Sequence, residues 1–268
     1  MTLTKEADLQ ALRRDSVTLA EAARQDLTVP IPSCPGWSMA DLVVHTGGVH
    51  RAQARIVTTR AQEPMGIARE MFDGVRGLLG WLESSTLMGG ESDLSAIPAG
   101  LVDWFEEGAA ILVAALAEAD PEEAVWSWSD DHRVQHYLRM MPIETAIHRW
   151  DAQNAVGQVE PVERPLAAEG ISHTFEVMMP SRRAHRQAPP GEGESFRFVM
   201  NDGPEVWTVR FPGEPVVRAD GEGKVDLTLS GSASDLMLFL WGRLPVDRLE
   251  AAGDVGLVQR YFELVPPV

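Results

Sequence analysis

Leu9, Leu12, Leu19 and Ala23 recur at helical spacing among charged residues, which predicts an amphipathic helix over 4–26 with Thr4 as its N-cap. The run from Val29 to Trp37 holds Pro30, Pro32, Pro35 and Gly36, so it reads as an extended, turning connection. Ser38 followed three residues later by Asp41 resembles a capping box with Asp in place of Glu, and it opens a second helix to about residue 61. Leu42, His45, Val49, Ala52 and Ile56 share one face of that helix, so His45 points inward. His50 lies about 140° further round and reads as a surface residue.

Met71, Val75, Leu78, Leu79 and Leu82 predict a short helix over 67–83, and Gly89-Gly90 a loop over 84–98. Leu101, Trp104, Phe105, Ala109, Leu112 and Leu116 mark a strong helix over 98–119 with Pro98 in its first turn. Trp126 and Trp128 sit in a short connection, their rings set against the mouth of the bundle. Asp130 or Asp131 caps a last long helix that runs to about Ala155, where Gly157 stops it. Its inward stripe is Tyr137, Met141, Glu144, His148, Asp151 and Ala155, and Pro142 predicts a kink.

The pattern changes after residue 157. The stretch 159–165 carries two prolines and reads as a linker, giving an N-terminal helical domain over 1–157 and a C-terminal domain over 158–268. A helix is expected over 165–180 and a polar loop over 182–194. Short segments at 196–200, 205–211, 215–219 and 225–229, rich in Val and aromatic residues and separated by turn signals, predict antiparallel strands. Ser232 or Ser234 caps a following helix and Asp254 a last one. The fold class is therefore α+β, an up-and-down helical bundle followed by a small α+β domain with a mostly antiparallel sheet.

Composition narrows the function. With 23 Lys plus Arg against 40 Asp plus Glu, the formal net charge of -17 repels phosphate backbones and anionic lipid, so neither nucleic acid nor membrane is an expected partner. No apolar run approaches a membrane span, and the first residues do not form a secretion signal. Cys34 is the single cysteine, which excludes an internal disulfide and suits a reducing cytoplasm. A monomer and a homodimer fit equally.

The candidate chemistry lies on the last long helix of the bundle. At about 100° per residue, Glu144, His148 and Asp151 project within a sector of roughly 60°. Such a cluster is costly among apolar neighbours unless its charge is answered, as a divalent metal does. His45 on a facing helix supplies a third ligand, and two imidazoles with a carboxylate suit zinc while leaving a position open. Spacing alone leaves a structural polar cluster as the alternative.

The stretch from Pro32 to His45, with Ser33-Cys34-Pro35-Gly36-Trp37 at its centre, and the stretch from Glu144 to Ala152 resemble the mycothiol-dependent maleylpyruvate isomerase family. Ser234-Asp235-Leu236, Trp241-Gly242-Arg243 and Gly253-Asp254 are similar to its C-terminal domain. The resemblance implies a DinB-like bundle whose zinc ligands are His45, Glu144 and His148, another divalent transition metal being possible. It implies Asp151 as the neighbouring acidic residue and Arg243 as a second-domain arginine that meets an acidic group on the substrate. Mycothiol or another low-molecular-weight thiol would be the cosubstrate, for isomerisation of, or thiol transfer to, a small electrophile. The alternatives are a metal-dependent hydrolase using zinc-bound water and a non-catalytic small-ligand-binding module.

Other residues read more plainly. Cys34, without a histidine in view, is expected to be a buried structural thiol, and His132 and His136 a solvent-facing pair. His173 and His185 read as surface or packing residues. Arg243 has a second reading, an interaction with the C-terminal end of its own helix.

Overall fold

The computed structural model describes residues 3–65, 69–214, 216–218 and 223–266. The chain divides into two compact units, Leu3–Glu160 and a second that starts at Pro161.

Four long helices build the first unit: α1 (Lys5–Ala23), α2 (Met39–Thr59), α4 (Leu101–Glu118) and α5 (Val134–Ala155), with the short α3 (Leu78–Ser84) between α2 and α4. Thr4 caps α1 as expected, its side chain accepting from Ala7 N. The capping box of α2 is complete: Ser38 Oγ accepts from Asp41 N at 3.3 Å, and Ser38 N donates to Asp41 Oδ2 at 2.8 Å. Helix α1 packs on α4 and α5, and α2 on the same two. Leu42, Phe105 and Leu112 are among the buried side chains that fill the space between them.

Two starts differ from expectation. Helix α4 begins after Gly100, whose φ of 84° turns the chain before the first helical residue, so Pro98 lies outside it. Helix α5 begins at Val134 because 124–133 pair as a bridge between Ala124 and Arg133, and the Arg133 side chain holds Asp131. Pro142 sits inside α5, which continues through it. The helix expected over 67–83 becomes a 3-10 turn at Arg69–Phe72 followed by α3, and its positions 67 and 68 lie outside the described residues.

In the second unit α6 (Arg164–His173) runs through a π-helical segment, Thr174–Met178, into α7 (Met179–His185), so part of the expected polar loop is helix. The strands are β1 (Glu194–Met200), β2 (Val206–Phe211), β3 (Val217–Arg218), β4 (Leu227–Gly231) and β5 (Glu250–Gly253), in the order β3-β2-β1-β4-β5. Of the strand expected over 215–219, residues 215 and 219 lie outside the described residues. Three pairings are antiparallel and one, β1 with β4, is parallel, so the sheet is mostly antiparallel as expected, with this one pair differing from its neighbours. Phe196 and Phe198 of β1 and Leu227 and Leu229 of β4 are buried. Helix α8 (Ala233–Leu240) packs against both strands, and Tyr261 of α9 (Leu257–Leu264) meets Phe196 and Phe198. Helix α9 starts after Gly256, and Asp254 accepts from the N–H of Gly256 rather than capping directly. No described helix is long and apolar enough to cross a membrane.

Candidate functional site

Two helices present the predicted ligands. His45 is half-buried on α2, and Glu144 and His148 are half-buried one turn apart on α5. All three line one small, closed cavity with no room for a water molecule, together with Met141 and Thr145. The imidazoles of His45 and His148 meet edge to face with ring centroids 5.2 Å apart, and the indole of Trp37 stands 4.9 Å from His45.

Asp151 lies behind this group and is fully buried. Its Oδ2 is 3.0 Å from His148 Nδ1, and its Oδ1 accepts from Ser33 Oγ at 2.5 Å. Cys34 Sγ is 3.8 Å from Oδ2. Ser33 and Cys34 reach it because the proline-rich connection folds back on itself, with Ile31 N donating to Trp37 O and Trp37 N to Cys34 O. A buried carboxylate that accepts from Nδ1 leaves the lone pair of His148 on Nε2, the nitrogen available to a ligand.

The sequence did not assign Ser33 a role, although its place between two prolines inside a pinned turn was the available signal. Cys34 is only partly buried, and it sits against a carboxylate. His50 is not a surface residue: it is fully buried, its Nε2 is 2.9 Å from Thr145 Oγ1, and its ring lies against Phe105. Burial pushes its pKa down to about 3, so it is a neutral neighbour of the cavity. His136 is also buried, not solvent-facing, with its Nδ1 3.0 Å from Ser129 Oγ. His173 is buried in the second unit.

Arg243 is half-buried in the second unit, just beyond α8. Gly242, at φ 73°, donates to Phe239 O, and Arg243 N donates to Leu238 O, a Schellman closure that fixes the arginine past the helix end. Its Nη1 donates to Trp241 O at 2.8 Å, so part of the guanidinium serves the last turn of its own helix.

Two imidazoles and a carboxylate around one cavity are residue types that suit zinc. Among the described residues, no group of three His, Cys, Asp or Glu side chains is arranged to hold a metal ion as it stands.

Residues 9–153 match the family model for the mycothiol maleylpyruvate isomerase N-terminal domain, and residues 165–260 the model for the C-terminal domain of the same proteins. A search of curated proteins found no match. Among solved structures the fold is similar to that of a mycothiol-dependent maleylpyruvate isomerase, at 18% identity and a TM-score of 0.59. A single-site mutant of a mycothiol-dependent maleylpyruvate isomerase gives 16% identity and a TM-score of 0.61. Both alignments cover 95% of this chain and 98% of the other.

Proposed function

The chain belongs to the mycothiol-dependent maleylpyruvate isomerase family, a family of thiol-dependent isomerases, and from that premise we propose that it is a zinc enzyme whose ion is held by His45, Glu144 and His148. The observation that carries the reading is the 3.0 Å contact between His148 Nδ1 and the buried Asp151, in a cavity that His45 and Glu144 also line. That contact orients the ring and selects the tautomer whose Nε2 can ligate. Asp151 therefore acts through His148 as a positioning residue, and Ser33 and Cys34 hold Asp151 in turn. Ligation asks His45, Glu144 and His148 to turn their donors toward a common point.

Zinc bound there would lower the pKa of a low-molecular-weight thiol, mycothiol first among them, and so supply a nucleophile near neutral pH for isomerisation or thiol transfer. The family resemblance gives Arg243 the role of meeting an acidic group on a small electrophilic substrate. A reducing cytoplasm suits such a reaction and a chain with one cysteine.

Elemental analysis of untagged protein beside Glu144→Ala and His148→Ala tests this reading. Near-stoichiometric zinc is expected in the parent and loss in both variants, together with turnover that stops when thiol is withheld. A parent that takes up no metal when zinc is offered, or turnover indifferent to thiol, overturns it.

A further inference from the structure

Beside the small cavity of His45, Glu144 and His148 lies a second one of about 590 Å3, and the two share His45 and Val49. Its size falls within the roughly 300–1,000 Å3 of small-molecule sites. Trp37, Phe72, Trp126 and Trp128 contribute aromatic walls, and aliphatic side chains of α2 and α3 most of the rest. Aromatic walls offer large apolar area to a ligand.

The polar groups on the wall say what else the ligand carries. Beside His45, the ionisable side chains among the described lining residues are Arg69 and Glu83, and Arg69 Nη2 is 3.2 Å from Glu83 Oε1. That pair is mostly solvent-exposed, so a carboxylate entering the cavity would meet no buried cation among the described lining residues and would give up its own hydration to apolar walls. Gln53 also lines the cavity; its Oε1 is buried and has no hydrogen-bond partner among the described residues.

We infer, resting on the zinc and thiol reading above, that the electrophile carries an apolar, aryl-sized body that fills this cavity. Its reactive carbon then lies at the His45 end, and any acidic group stays outside the aromatic walls. A short dicarboxylate leaves most of the cavity unfilled and is not the preferred substrate.

Cinnamyl alcohol tests the cavity without the chemistry, since it has the aryl body and a hydroxyl but no electrophilic carbon. Isothermal titration calorimetry with untagged full-length protein is expected to show saturable binding. Affinity should fall by roughly tenfold or more in Ala52→Phe, which fills the space, and in Trp128→Ala, which removes a wall. Circular dichroism identifies which variants fold, and the two change the cavity in opposite senses, so either one alone decides. Maleate should leave the affinity for cinnamyl alcohol unchanged. Absence of binding, equal affinity in the parent and a folded variant, or displacement by maleate would overturn the inference. The assay needs neither metal nor thiol, so its failure leaves the zinc content untouched, and a protein without zinc can still bind the alcohol.

Discussion

His148 Nδ1 and Asp151 Oδ2 lie 3.0 Å apart across one turn of α5, with Asp151 fully buried and held from behind by Ser33. A ligating imidazole oriented in this way loses affinity for its metal when the carboxylate is removed, typically by about 10–100-fold. Asp151→Asn keeps the shape but no longer offers the charged acceptor, and Ser33→Ala leaves the carboxylate with one fewer donor. Zinc affinity, read by competition with a chromophoric chelator, should fall by roughly tenfold or more in Asp151→Asn and by less in Ser33→Ala. Unchanged affinity in Asp151→Asn would separate this aspartate from the metal altogether.

The start of α2 is held by more than its cap. Ser38 satisfies one end of the helix, and replacing it by alanine should cost about 1 kcal/mol. Asp41 is fully buried and accepts from Ser38 N through Oδ2 and from Ser92 Oγ through Oδ1. Asp41→Ala strips the acceptor from the buried Ser38, an unmet donor adding about 1–3 kcal/mol, while the half-buried Ser92 Oγ keeps Thr86 Oγ1 as a partner. Urea denaturation should therefore rank Asp41→Ala well below Ser38→Ala in stability; equal losses would show that only the cap matters.

Most of the helical unit was legible because its helices obey one rule, an apolar stripe of constant period. The starts of α4 and α5 were not, since they depend on the left-handed Gly100 and on a bridge between Ala124 and Arg133. Strand β5 was invisible: Glu250, Ala251, Ala252 and Gly253 are all exposed, so no alternation marks a strand defined only by its pairing with β4. The parallel pairing of β1 and β4 also lies beyond a pattern that records faces and not directions.

At the site, spacing named the three ligand candidates but misread His50. Placing it about 140° from His45 led to solvent only if α2 had one buried face. In fact α4 covers that side with Phe105 and α5 reaches it with Thr145, so a second face of α2 is inside. Gly47 and Gly48 on the same helix are buried too, and their lack of side chains is the local sign that neighbours come close.

Gly47 makes that approach measurable. A Cβ there would lie 2.4 Å from the Trp104 ring, and the ring is buried under the Arg51 guanidinium. Gly47→Ala gains about 1 kcal/mol of helix propensity but overpacks the contact at about 1–3 kcal/mol, and so short a distance puts the cost toward the upper end. Gly80 in α3 has nothing within 4 Å of the same added atom. Gly80→Ala should raise the denaturation midpoint while Gly47→Ala lowers it. Two shifts of the same sign would contradict the close packing of α2 on α4.

Acid stability follows from a histidine away from the proposed ligands. Burial pushes the pKa of His136 down to about 4, with Arg139 and His132 adding to the fall and Asp131 opposing it. Its ordinary value is 6.5, which it regains in the unfolded chain. Above that value both states are neutral at this residue and it contributes no slope. Between about 6.5 and about 4 the unfolded chain binds a proton that the folded one refuses, so stability falls with pH, by up to about 1.4 kcal/mol per unit. His50, pushed down to about 3, acts in the same sense. His136→Phe, whose ring can take the place between Trp128 and Tyr137, removes this part of the slope. Urea midpoints at about pH 7.5 and about pH 5 should therefore differ less in His136→Phe than in the parent. An equal loss in both proteins would mean that His136 takes up its proton without unfolding the bundle.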